Sequence, residues 1–133
     1  MQYDEFVGEV QNRARLPSRG DTVRAIQATL GTLAERIAQG EADDLAAQLP
    51  PELSVFLEDA DTTERFSVDD FFLRMAAKES ADVPDAAHHA RAVMAVLREA
   101  VTAGELDDIR GQLPDNYDPL FEAGSEGEMD INV

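Results

Sequence analysis

Residues 40–50, Gly-Glu-Ala-Asp-Asp-Leu-Ala-Ala-Gln-Leu-Pro, return 64 positions later as residues 104–114, Gly-Glu-Leu-Asp-Asp-Ile-Arg-Gly-Gln-Leu-Pro, with seven of eleven positions identical. Upstream the same offset pairs Leu30 with Met94, Leu33 with Leu97, Glu35 with Glu99 and Ile37 with Val101; downstream it pairs Leu53 with Tyr117, Phe56 with Leu120 and Leu57 with Phe121. Nearer the start the offset becomes 65, so that Phe6 meets Phe71 and Val10 meets Met75. One residue has entered an intervening loop, where such changes are tolerated. Two copies are too few for a solenoid and imply a duplicated unit whose halves pack on each other.

Each copy reads as four helical segments. The first carries Tyr3, Phe6, Val7, Val10 and Ala14, matched by Val68, Phe71, Phe72, Met75 and Glu79, with Glu79 expected at a frayed end. The second carries Val23, Ile26, Leu30, Leu33 and Ile37, matched by Ala87, Ala90, Met94, Leu97 and Val101. Ser18 with Asp21, and Asp82 with Asp85, place a capping oxygen ahead of a first-turn acid. Gly40 and Gly104 are expected to close the second helices in the left-handed conformation. Asp43-Asp44 and Asp107-Asp108 would then begin a short third helix, and Pro50 and Pro114 would stop it and open a fourth. The fold class expected is all-α: two tandem copies of a four-helix unit packed as one pseudo-twofold domain over residues 1–122. Repeat one spans 3–58, a linker 59–65 and repeat two 66–122, followed by a mobile acidic tail at 123–133.

The charge narrows the partners. Against 28 Asp and Glu stand 11 Lys and Arg, a formal charge of −17, and ten of the eleven bases are Arg, with Lys78 the single Lys. Such a surface repels phosphate backbones and anionic bilayers, so neither nucleic acid nor membrane is an expected partner. The surplus is −7 over residues 1–65 and −10 over 66–133, spread as adaptation to concentrated salt would spread it. Zero cysteines exclude disulfides, thiolate metal sites and a cysteine nucleophile. No apolar run approaches the length of a membrane helix, and the start Met1-Gln2-Tyr3-Asp4-Glu5 lacks a secretory pattern. A cytoplasmic location is expected.

Candidate sites are few. His88 and His89, the only histidines, point about 100° apart on a helix and do not converge on one metal. The repeated acids at 43/107 and 44/108 have an ordinary explanation as helix-start charges, which takes precedence over acid–base catalysis. Arg13, Arg15, Arg19 and Arg24 surround a helix start with only Asp21 among them, which makes them candidates for holding an anionic ligand. The simpler alternative is pairing with neighbouring acids. Where repeat one has Thr29, Thr32 and Arg36, repeat two has Val93, Val96 and Ala100, leaving its second helix apolar nearly all round. That helix is either the centre of the core or a homodimer seam, with Val93, Val96 and Ala100 as the candidate interface.

The start Tyr-Asp-Glu-Phe, the motif Gly-Glu-x-Asp-Asp-Leu-x-x-Gln-Leu-Pro-x-x-Leu, Phe-Ser-Val-Asp-Asp-Phe-Phe-x-Arg, His-Ala-Arg-Ala-Val-x-x-Val-Leu-Arg-Glu-Ala-Val and the second Gly-Glu-Leu-Asp-Asp-Ile-Arg-x-Gln-Leu-Pro occur in this order. Together they resemble the bacterial and archaeal family called domain of unknown function 2267, over residues 3–122. The resemblance implies an all-helical tandem domain and brings no catalytic residue, cofactor or metal ligand. With the acidic, Arg-over-Lys surface it resembles a haloarchaeal or high-GC bacterial member. No phosphate loop, nucleophile elbow or zinc-ligand spacing occurs. The expected function is a non-catalytic helical interaction module, homodimeric or docking to a protein partner. The alternative is a small-ligand-binding bundle with an anion near Arg13–Arg24.

Overall fold

Two amphipathic helices of equal length open the two halves. In this computed structural model, which describes residues 1–58, 60 and 62–122, α1 spans Tyr3–Ala14 and α5 spans Val68–Glu79. The expected tail lies outside the described residues, as do linker positions 59 and 61. Phe6, Val7, Val10 and Ala14 are buried on α1, and Val68, Phe71, Phe72, Met75 and Ala76 on α5, the stripe that a 3.6-residue period dictates. Both helices end on a non-glycine left-handed residue, Arg15 and Ser80, each at φ 56°. The N–H of Arg15 bonds the Gln11 carbonyl and that of Ser80 the Ala76 carbonyl.

The long second helices are α2, Arg19–Arg36, and α6, Val83–Ala100. Their starts are capped as expected: Ser18 Oγ accepts the Asp21 N–H at 3.0 Å, and Asp82 Oδ1 the Asp85 N–H at 3.0 Å. Their ends differ from expectation. Neither Gly40 nor Gly104 is left-handed; Ile37 and Val101 end the helices in extended conformation, and both glycines lie inside the next helix. The third helices therefore start earlier than Asp43 and Asp107, with α3 at Gln39–Ala46 and α7 at Ala103–Gly111. Their first-turn acids are Glu41 and Glu105. Pro50 and Pro114 each precede a short closing segment: α4, Pro51–Ser54, running into a 3-10 turn, and a 3-10 turn running into α8, Asp118–Phe121.

Packing interleaves the two copies. α1 lies against α2 and α6, α5 against α6 and α2, and the corresponding pairs α2–α6 and α3–α7 also touch. Val93 and Val96 are fully buried inside the chain and Ala100 is packed against the core, so the candidate interface of repeat two is core. The polar counterparts in repeat one are buried as well. Thr29 and Thr32 donate their hydroxyls to the Ala25 and Ala28 carbonyls at 2.7 Å, bonds within their own helix, and the Thr32 hydroxyl also accepts from Lys78 on α5 at 2.9 Å. Arg36 donates from Nε to the Phe66 carbonyl at 3.0 Å and lies over the Phe66 and Tyr117 rings. The same carbonyl accepts the buried Tyr117 hydroxyl at 2.7 Å, which ties the closing segment of repeat two to its first residue, just ahead of α5. α2 and α6 are thus both central helices, one lined partly with hydrogen-bonded polar groups and one with aliphatic groups.

Candidate functional site

The contact between α3 and α7 is built by exchange. Gln112, just past α7, accepts the Ala38 N–H at the start of α3 (2.8 Å), and Gln48, just past α3, accepts the Thr102 N–H at the start of α7 (2.9 Å). Gln48 and Gln112 are the repeated glutamines, so each copy caps the helix start of the other. Their amide nitrogens reach further: Gln112 Nε2 donates to Glu41 Oε1 at 3.2 Å and Gln48 Nε2 to Thr102 Oγ1 at 3.3 Å. Thr102 Oγ1 also accepts the Glu105 N–H at 3.2 Å.

This exchange displaces two carboxylates from their usual work. In a Thr-x-x-Glu capping box the glutamate reaches back to the N–H of the capping residue. Here Gln48 occupies the Thr102 N–H and Gln112 the corresponding Ala38 N–H, so Glu105 and Glu41 are free to face each other. Carboxylate oxygens of Glu41, Glu105 and Asp108 converge to within 4.8 Å of one another. Glu105 is 6% exposed, and Oε2 of both glutamates is buried with no hydrogen-bond partner. Burial, followed by the hydrogen bond and charge of Glu41 and the charges of Asp44 and Asp108, pushes the Glu105 carboxyl up to about 7.

The residues named from sequence are placed elsewhere. Arg13 binds both oxygens of Glu99 on α6 at 2.9 and 2.8 Å as well as Glu9, Arg19 binds Asp4 at 2.6 Å and lies over Tyr3, and Arg24 is 3.6 Å from Asp21. Arg15 is the left-handed residue closing α1. Three of the four are paired with acids and the set does not converge on one point. His88 Nε2 lies 3.3 Å from the Ala14 carbonyl, and His89 Nδ1 lies 2.6 Å from Glu79 Oε1. Glu79 is not at a frayed end; it is buried, and its hydrogen bond raises the His89 pKa above its ordinary value despite the opposing effect of burial. Of the repeated aspartates, Asp108 joins the carboxylate cluster, one turn beyond Glu105 on the same helix face.

Sequence reasoning missed Glu41 and Glu105. Two signals could have found them: Thr102-x-x-Glu105, which marks the true start of α7, and the recurrence of Glu-x-x-Asp at 41/44 and 105/108.

One open groove, about 450 Å³, is lined by Arg24, Gln27, Ala28, Gly31, Glu35 and Lys78, and Lys78 is held there by Glu35 and Thr32 at 2.9 Å each. No helix of the described residues is long and apolar enough to cross a membrane. In comparison with known proteins, the family model described as "Uncharacterized conserved protein (DUF2267)" matches residues 3–120. No curated protein matches the chain.

Proposed function

The chain belongs to the DUF2267 family, and from that starting point we propose that it is a cytoplasmic, non-catalytic interaction module: two tandem copies of one four-helix unit, packed about an approximate twofold axis, that bind a protein partner or a second copy. The observation that supports this reading is how its charged side chains are used. Arg13 joins α1 to α6, Arg74 holds Glu35 and Glu64 at 3.0 and 2.8 Å while lying over the Phe66 ring, and Arg91 donates to the Pro119 carbonyl. Cations spent on holding helices together are not gathered to bind a small anion. The grooves are open where small-molecule sites are usually enclosed. The remaining acidic excess suits a salt-rich cytoplasm.

Light scattering of the full chain, with affinity capture from its host at high salt, tests the reading. A stoichiometric partner or a stable homodimer is expected. A strict monomer whose amides near Arg19 shift with millimolar phosphate compounds would replace the module with the ligand-binding bundle. Melting temperature should rise from dilute buffer to molar KCl; a chain equally stable in both would remove the salt adaptation.

A further inference from the structure

We propose that Glu41, Glu105 and Asp108 form a binding site for a hard divalent cation of the Ca²⁺, Mn²⁺ or Mg²⁺ class, held where α3 meets α7. Three carboxylates whose oxygens come within 4.8 Å of one another repel when ionised, and a cation between them would relieve that repulsion. Among the described residues no cationic side chain pairs with these three: the side-chain donor that reaches them is the neutral Gln112 amide, on Glu41 Oε1. The Glu105 carboxylate, on a residue only 6% exposed, contributes an oxygen to the cluster, and its Oε2, like that of Glu41, is buried without a hydrogen-bond donor. Buried polar atoms are rarely left so unless an ion, water or proton completes them.

A shared proton would satisfy Glu41 and Glu105 alone, but it gives no reason for Asp108 to converge as well. A third carboxylate is what a divalent ion uses. The donors are all oxygen, which selects calcium, manganese or magnesium over zinc. Asp108 is exposed, so the ion has a route in and water can complete its shell on that side. Gln112 acts as the outer support that orients Glu41. The site stands apart from the interaction reading, and either can fail alone.

The test titrates CaCl₂ into the metal-stripped full chain by calorimetry, in enough KCl to screen the general acidic surface, and follows amide broadening with MnCl₂. Saturable binding of one ion per chain is expected, with broadening centred on residues 38–48 and 102–112. Glu105→Gln should weaken it at least as much as the roughly ten- to hundredfold typical of losing an orienting residue. Asp108→Asn, on an exposed side chain that the fold does not need, should weaken it measurably, while Asp69→Asn on α5 should leave it unchanged. Weak, non-saturating binding that Glu105→Gln and Asp69→Asn reduce alike would overturn the site. So would an absence of binding while Glu105 takes up a proton near neutral pH, which would assign the pair to a shared proton.

Discussion

Glu79 and Glu105 are both carboxylates buried in this fold, 8% and 6% exposed, and they are neutralised in opposite ways. Glu79 meets His89 across the α5–α6 contact at 2.6 Å, so the chain brings its own countercharge. Glu105 meets Glu41 and Asp108 across the α3–α7 contact, so the chain brings more of the same charge. Both places hold a proton more tightly than the unfolded chain would, since the His89 and Glu105 pKa values are both raised. At α5–α6 the proton creates an attraction; at α3–α7 it only removes a repulsion. The first arrangement contributes to holding the helices together, whereas the second costs stability until the solution supplies a proton or an ion.

Removing His89 should give the largest effect. His89→Ala leaves Glu79 buried and uncompensated, and breaking a buried pair of this kind typically costs about 3 to 5 kcal/mol. Because the folded-state pKa of His89 is raised above 6.5, the wild-type contribution is complete below that value and is lost as pH rises through the raised one. The stability difference between the two proteins in denaturant melts should therefore narrow towards alkaline pH. A constant difference at all pH values would mean that the pair contributes by packing alone.

The corresponding change at the other contact should have the opposite sign. Glu105→Gln keeps the shape and removes the charge, so in the presence of a chelator above pH 7 it should stabilise the protein, by about 1 kcal/mol once solvent screening is allowed for. The sign follows from the carboxyl being raised from 4.5 to about 7. The folded wild type binds the extra proton between those values, so wild-type stability rises as pH falls through that window and the advantage of the variant disappears. Adding CaCl₂ should raise the wild-type melting temperature and leave that of the variant unmoved. A variant less stable than wild type in chelator would show that Glu105 makes a favourable bond within the chain.

The different legibility of the two contacts in the sequence has a physical cause. Apolar periodicity defines α1, α2, α5 and α6, because burial at every third or fourth residue leaves a pattern in one helix at a time. Ser18 and Asp82 mark helix starts because capping is equally local. The third helices start several residues earlier than the sequence suggests because Gly40 and Gly104 read as left-handed ends of the second helices, whereas the left-handed turns fall on Arg15 and Ser80. Moving those starts back to Ala38 and Thr102 is what turns Glu41 and Glu105 from loop residues into facing groups. Their meeting depends on two segments 64 residues apart, and only the identity of the repeat carried that information. Glu79 was hidden similarly: its partner lies on the next helix, and an acid at a helix end reads as solvated.

The smallest effect should distinguish the two glutamines that build the α3–α7 contact. Gln48→Ala and Gln112→Ala each remove a side chain that caps a helix start of the other copy, and loss of such a cap costs about 1 kcal/mol. By symmetry of the repeat the two should cost the same, and the structure gives a reason why they should not. Gln48 Nε2 shares Thr102 Oγ1, which still caps the Glu105 N–H when Gln48 is gone. Gln112 Nε2 donates to Glu41 Oε1, so its loss removes a donor from the carboxylate cluster itself. Gln112→Ala should therefore be the more destabilising in chelator, with the excess over Gln48→Ala largest above pH 7, where Glu105 is ionised. In Glu105→Gln the excess should shrink, since the neighbouring charge is already gone. Equal costs in both backgrounds would mean that the glutamines act only as caps and that the carboxylates take no part in holding α3 to α7.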